Sequence, residues 1–395
     1  MTISCIPENS TLLSVIDYDK KNADIKENIV GHLNNPILDS KRNDVIEILK
    51  GYGFIIENFH IITPDNAGRQ IQKRFAEKIN NKYKKYELKS KLFFAEENDI
   101  DPKKIEPVLE LINLGDSKRR EIFNYAKSFW SAPVSSGYGR RLDYIVWDRN
   151  TSKVMGILGL ADSLISLGVR DKNIFRLQLS GDRWIKSDIS NIWGKEQRMN
   201  RLYNTMTAYI LGSVPPYNKY LCSKLIALLA TSNRVKNDFK NRYQGKQTVI
   251  RKEVKIPELV MIDTMGAFGK SSIYNRLDGW KFIDKTNGQT HVHLSCNGVY
   301  GILYDVVRIH DEKILKTYKF GNGSNWKLRV VAKGLSILGL SGLLTNGIRR
   351  GYYVAPLINN LEEFLSGKTD NPNFIDRQEQ NLIGYWKERW LVKKI

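Results

Sequence analysis

Two apolar runs around a short polar turn, RLDYIVWD (141–148) and KVMGILGLA (153–161), constrain this chain most. Both read as strands, and the polar RNTSK (149–153) between them fits an antiparallel hairpin. The Ser-, Gly- and Pro-bearing SAPVSSGYGRR (131–141) in front is a loop. Behind it the same texture continues. TMTAYILGSV (205–214) reads as a third strand, YLCSKLIALLATSNRVKNDFKNRY (220–243) as a long helix and ELVMIDTM (258–265) as another strand. A short helix over 271–277 and strands over 280–284 and 291–295 complete a β-β-β-α-β-α-β-β order, which suits one α/β domain.

The flanks differ. In 32–54 the apolar residues Val45, Ile46 and Leu49 share a helical face. Residues 63–94 read as a helix with Thr63 as N-cap, Pro64 at its first position and an Ile71/Phe75/Ile79 stripe. Residues 101–130 read as two helices parted at Gly115, 325–368 as a helical hairpin with its loop at 346–347, and 385–394 as a short aromatic and basic terminal piece. The expected organisation is a basic helical region over 1–135, an α/β domain over 136–300 and a helical region over 301–395. A chain of 395 residues is long for a single core.

The net charge of +20 points to a polyanionic partner and says nothing about fold. Nucleic acid, DNA rather than RNA, is the expected partner. An anionic membrane is the weaker reading, because no amphipathic terminal anchor is visible. The uncharged GLSILGLSGLLTNGI (334–348) is too short to span a bilayer and reads as a buried helix with small residues where another backbone comes close. No secretory signal is visible, and Cys5, Cys222 and Cys296 lie too far apart for metal or redox spacing, which fits a cytoplasmic protein.

Two basic clusters carry the charge. Residues 69–91 hold Arg69, Lys73, Arg74, Lys78, Lys82, Lys84, Lys85, Lys89 and Lys91, with Tyr83 and Tyr86 interleaved. Lys78, Lys82, Lys85 and Lys89 are spaced to form one ridge of a helix. The second cluster is Arg234, Lys236, Lys240, Arg242, Lys246, Arg251, Lys252 and Lys255, opposed by Asp238 and Glu253. Lysines and arginines on phosphates supply affinity without sequence preference, and Tyr83, Tyr86 or Tyr243 would stack on unpaired bases. A solubilising surface is the bland reading of either cluster; the two together, with the overall charge, favour binding.

Two resemblances follow from longer blocks. The element order, closed by GKSSIYNRLDGWKFIDKT (269–286), is similar to the GNAT acetyltransferase fold. In that fold the fourth strand splays from the fifth, and the next helix often carries a tyrosine followed by a Gly-aromatic turn. Tyr274 and Gly279-Trp280 hold those places. RMNRLYNTMTAYIL (198–211), FGKSSIYNRLDGWKFIDKTNG (268–288), GNGSNWKLRVVAKGLSILGL (321–340), LLTNGIRRGYYVAPLINNLEEFLSG (343–367) and YWKERWL (385–391) resemble blocks of the Druantia anti-phage protein A family. That resemblance implies a component of a multi-gene anti-phage system that also contains a large helicase. The implied fold is α/β, an acetyltransferase-like mixed sheet core with helical N-terminal and C-terminal regions.

Chemistry on that core is harder to read. A CoA-binding turn needs backbone amides at a glycine-rich helix start. VPPYNKYLCSK (214–224) has no glycine, and Pro215 and Pro216 remove two donors, although Lys219 and Lys224 could meet phosphate. No cofactor is therefore expected, acetyl-CoA included. Tyr274 has a general-acid reading and a core-aromatic reading beside Ile273 and Leu277. Asp263 reads as a base or metal ligand in the cleft, or equally as a structural cap. A metal-dependent nuclease would draw on Asp143, Asp148, Asp263 and Lys270, but Asp143 and Asp148 point to opposite faces of a regular strand. His291 and His293 share a strand face, yet a polar face is the simpler reading, and no metal site is expected. MGAFGKSS (265–272) lacks P-loop spacing, leaving Lys270 at a helix start as a single-phosphate contact.

Overall fold

The computed structural model of the chain describes residues 35–62, 68–134, 137–175, 177–180, 183–186, 195–248, 252–267, 269–288, 292–294, 298–310, 312–320 and 326–395. Thr63, Pro64, Arg251, His291, Cys5 and Cys296 lie outside them.

The strands are β1 (Ile55–Glu57), β2 (His60–Ile62), β3 (Pro107–Leu111), β4 (Arg141–Asp148), β5 (Lys153–Asp162), β6 (Leu177–Ser180), β7 (Arg183–Lys186), β8 (Thr205–Ser213), β9 (Met261–Met265), β10 (Lys281–Lys285) and β11 (Gly351–Pro356). Seven of them form one mixed sheet in the order β10-β11-β9-β8-β5-β4-β3. The expected β4–β5 hairpin lies inside it, next to the edge strand β3, with Asp148 facing Lys153 at the turn. β8 and β9 run parallel through three register pairs, Thr205–Met261, Met206–Ile262 and Thr207–Asp263. The other neighbours in this sheet are antiparallel.

One face of the sheet is covered by the helices Cys222–Leu229, Asn233–Tyr243 and Glu379–Trp386. Leu225, Phe239 and Trp386 pack there on Tyr144, Leu158, Met206 and Ile262. The other face is covered in two places. The helix Ser117–Ala126 lays Ile122 and Phe123 on Ile145 and Ile157. Phe175, Phe364 and Leu365 cover Met261, Tyr352 and Val354 at the far end. A separate core joins the helices Pro36–Gly51 and Gly68–Asn80 to Val299–His310 and Trp326–Ile337. The helical material before the sheet and the segment between β10 and β11 therefore build one unit together. Within that segment Gly334 lets the helix Trp326–Ile337 approach the helix Val299–His310 closely: a Cβ there would sit 2.9 Å from the Leu303 backbone oxygen. That is the role expected for the small residues of 334–348, although the helix stops at Ile337 and a 3-10 turn, Ser341–Leu344, follows.

Several elements differ from the sequence reading, each for a local reason. Residues 107–111 form the edge strand β3 instead of a helix; Pro107 has no N–H to donate and disfavours a helical Glu106 before it. The long helix over 220–243 is two, with the Ser232 hydroxyl accepting from the Val235 amide at 3.5 Å to start the second. The helix over 63–94 ends as α-helix at Asn80 and continues as a 3-10 turn, Asn81–Tyr86. There the Asn80 amide donates to the carbonyls of Trp130 and Ala132 at 3.0 and 3.1 Å. The strand expected over 291–295 is a 3-10 turn at Val292–Leu294. The partner of β10 is instead β11, from the segment read as a helical hairpin; its Tyr-Tyr-Val run favours a strand, and Gly347 at φ 68 helps end what precedes it. The sheet thus takes β3 and β11 from outside 136–300. No helix among the described residues is long and apolar enough to cross a membrane.

Candidate nucleic-acid interface

The ridge expected over 69–91 is on the surface. Its helix Gly68–Asn80 buries Ile71, Phe75 and Ala76, which turns Lys73, Arg74 and Lys78 outward. Lys82, Lys84, Lys85, Lys89 and Lys91 continue the exposed row past Asn80. The ammonium of Lys78 lies 4.5 Å over the Tyr52 ring, and those of Lys82 and Lys85 lie 5.0 Å over Tyr83 and Tyr86. Lys89 reaches Glu121 at 3.4 Å. Tyr83 and Tyr86 are half-buried against the core under the helix Ser117–Ala126, each leaving part of its ring outward.

The second cluster is different in kind. Arg234 pairs with Asp238 at 3.0 Å, Lys236 donates to the Ile375 carbonyl and Lys255 pairs with Glu253 at 3.6 Å. Arg242 donates to the carbonyls of Arg141 and Ile112 at 3.2 and 2.9 Å. Lys240, Lys246 and Lys252 are exposed. Lys236 and Arg242 are therefore structural, stitching the helix Asn233–Tyr243 to the C-terminal segment and the sheet edge.

Tyr274 and Asp263 do not meet. Successive strand residues face opposite sides, and Asp263 and Thr264 divide the two groups between them. Asp263 is fully buried; Tyr352 donates to it at 2.8 Å, and the Thr207 hydroxyl donates as well. Burial raises its carboxyl pKa, with the Arg170 guanidinium pulling the other way. Arg170 and Arg198 hold Asp171 beside it at 2.8 and 2.6 Å. On the other face, Tyr274 is buried between Trp280 and Tyr353, each ring 4.9 Å away, and burial pushes its hydroxyl up to about 12. The seven residues expected as its helix are a run of turns. Lys224 ties them down by donating to the carbonyls of Ser272, Ile273 and Asn275 at 2.7, 2.9 and 3.3 Å. Lys224 is thus occupied, and Lys219 pairs with Glu97.

Asp143 and Asp148 also sit on opposite faces. Asp143 is held by Arg120 and by the Tyr209 hydroxyl at 2.6 Å. Asp148 accepts from Tyr217 at 2.9 Å and from the Glu106 and Asn150 amides at 3.0 and 3.1 Å. Among the described residues, no three His, Cys, Asp or Glu side chains converge to hold a metal ion. His293 is buried, 5.4 Å from Phe54, with Nε2 2.8 Å from the Leu343 carbonyl. Lys270 is exposed, its ammonium 4.8 Å over Phe282, on a turn where Tyr353 accepts from the Ser271 amide at 2.6 Å.

One cation escaped the sequence reading. Lys127 is buried although it follows the apolar face of the helix Ser117–Ala126, four residues after Phe123. That spacing is the signal that would have found it.

An α/β protein with a densely cationic exposed helical row is the class these features define. The family described as Druantia protein DruA matches residues 63–367. The Druantia protein DruA of Escherichia coli (strain UMEA 4076-1) is 35% identical over 311 residues, which span 76% of this chain and 72% of that one. The chain belongs to the DruA family, and with it to the Druantia anti-phage defence system. No solved structure matches it.

Proposed function

We propose that the protein is the nucleic-acid-binding component of its defence system, engaging DNA rather than RNA in the cytoplasm and acting with partner proteins such as a helicase. The observation that carries this reading is the exposed row Arg74, Lys78, Lys82, Lys85 and Lys89, flanked by the half-exposed Tyr83 ring. Three of those ammonium groups rest on aromatic rings, which fixes them in place while leaving their charge for a ligand. Lys240, Lys246, Lys252 and Lys270 add exposed cations elsewhere. Titration of labelled duplex and single-stranded oligonucleotides against salt tests it. Binding should weaken linearly on a log-log plot as salt rises, and no complex at low salt with either probe overturns it.

The sheet is read as acetyltransferase-like without CoA chemistry. In support, β8 and β9, fourth and fifth in order from β3, are parallel and pair over only three residues. β8 also bulges at Tyr209, since Gly159 faces Ile210 and Leu160 faces Ala208. The opening between β8 and β9 is bridged by Thr264 donating to the Ala208 carbonyl at 2.9 Å. Acetyl-CoA is therefore expected to leave the melting temperature unchanged; a rise on adding it revives the transferase reading.

A further inference from the structure

Where the cationic row ends, the surface is built the wrong way round for a solvated face. The short helix Glu87–Ser90 buries Ser90 completely and leaves Leu88 96% exposed. Leu92 is 63% exposed and Phe129 40% exposed. Folding alone favours the reverse, with leucine inside and serine in water. These three apolar side chains line one cleft of about 760 Å³. An aromatic cluster underlies it. Phe94 and Tyr125 are buried and meet edge to face at 4.9 Å, and the Phe129 ring lies 5.5 Å from Phe94 and 5.4 Å from Tyr125. The exposed Pro215, in the segment after β8, supplies a further apolar wall. Lys91, the last cation of the row, lines the cleft as well, so the two surfaces are continuous.

Charge decides what can enter. The cleft is lined by three carboxylates, Glu96, Glu97 and Asp99, against two cations, Lys91 and Lys153. Lys153 is drawn to the Leu92 carbonyl at 2.7 Å, and Glu97 pairs with Lys219. Such a lining repels a phosphate and accepts an uncharged ring. We propose that the cleft takes an unpaired nucleobase of a single strand whose phosphates lie along the row, with the base stacked on Phe129. Its volume is in the range of ordinary ligand pockets, and stacking suits any base because every base has a π-face. Continuity with the row favours this occupant over an apolar segment of a partner protein: a strand lying on Lys85, Lys89 and Lys91 carries its bases past the mouth of the cleft. The proposal rests on the nucleic-acid reading and adds to it a base-binding site and a form of nucleic acid, since the bases of an intact duplex are paired and cannot turn into the cleft.

Two measurements on the full chain separate this proposal from the reading beneath it. The first is the salt dependence of single-stranded oligonucleotide binding for the wild type, Phe129→Ala, Phe129→Tyr and Leu88→Ser, with circular dichroism and melting as folding controls. An uncharged stack releases no counterions, so losing it lowers the log-log line without changing its slope. Phe129→Ala should weaken single-strand binding by about five- to a hundredfold at every salt concentration, while Phe129→Tyr, which keeps the ring, stays near wild type. Leu88→Ser, at a position almost wholly in solvent, should weaken it several-fold with the melting temperature unchanged, and it decides the matter if Phe129→Ala fails to fold. A blunt duplex should bind all four proteins equally. Equal single-strand binding by all four overturns the base site while the ridge reading stands, and leaves the cleft to an apolar segment of a partner. The second measurement is photocrosslinking of a single strand carrying one iododeoxyuridine, with the adducts located by mass spectrometry. Adducts on Phe129 or within 88–94 are expected; adducts confined to Tyr83 and Tyr86, or none, overturn the site. If the wild-type chain binds no oligonucleotide at low salt, the ridge reading and the base site fall together.

Discussion

At the scale of single residues, burial decides what the ionisable groups can do. Tyr274 is sealed between Trp280 and Tyr353, so its value is in packing. Tyr274→Phe should retain nucleic-acid binding and lose at most about 1 kcal/mol, the net worth of one hydrogen bond. Tyr274→Ala should cost about 3–5 kcal/mol, as for other buried aromatics. Denaturant unfolding of both checks this, and a Tyr274→Phe protein that folds normally but loses defence activity would restore the general acid. Lys127 makes a pH prediction. Its pKa is lowered from 10.5 to about 8, so the unfolded chain holds the proton more tightly than the folded one. The cost of the buried ammonium is complete below about pH 8 and fades as the pH climbs toward 10.5. The wild-type protein should therefore gain stability relative to Lys127→Met across that window, by up to about 3 kcal/mol. Melting curves of the pair at pH 7 and pH 10 measure the difference.

At the scale of elements, the sequence was legible where hydrophobic period and turn chemistry agreed. The β4–β5 hairpin, β8 and β9 each stand out as apolar runs bounded by polar residues. The helix Pro36–Gly51 shows its Val45/Leu49 stripe, with the Asn35 side chain accepting from the Ile37 amide at 3.1 Å to start it. Legibility failed where distant partners chose the conformation. β11 is a strand because β9 and β10 lie on either side of it, a fact no local window contains. Residues 271–277 lack a helix because a lysine from about fifty positions earlier takes their carbonyls. Of the candidate site, the exposed cations could be read from spacing, but which cations already had partners could not. Arg242 and Arg74 look alike in sequence and differ in what surrounds them. Two tests belong here. Lys224→Met should speed amide exchange across 271–280 and destabilise by about 1–3 kcal/mol, since it removes charge-assisted hydrogen bonds. Gly351→Ala should be worse for the sheet than for any surface site, because a Cβ there would lie 2.2 Å from the Gly269 carbonyl oxygen. Its amide also donates to that oxygen at 2.8 Å, so the strand cannot simply shift away.

At the scale of the whole molecule, the charge of +20 is divided between two uses, and separating them is the most direct test of function. The row along 69–91 starts on the helix Gly68–Asn80, anchored by its apolar face, and continues along the 3-10 turn Asn81–Tyr86 and the short helix Glu87–Ser90 with its lysines exposed, so its cations can be exchanged with little effect on folding. Two cations of 234–255, Lys236 and Arg242, hold the helix Asn233–Tyr243 in place. Reversing Lys78, Lys82 and Lys85 to Glu should leave the melting temperature nearly unchanged, as surface substitutions usually do. The same change should flatten the salt slope of duplex binding by about 2–3, at roughly 0.9 for each phosphate no longer neutralised. Arg242→Ala should do the opposite. It strips the Arg141 and Ile112 carbonyls of a shared charged donor, so it should lower stability by about 1–3 kcal/mol and leave the salt slope of the remaining folded protein intact. If both variants flatten the slope equally, binding follows net charge instead of a defined surface, because diffuse attraction depends on the sum of charges and a docked phosphate depends on where they stand.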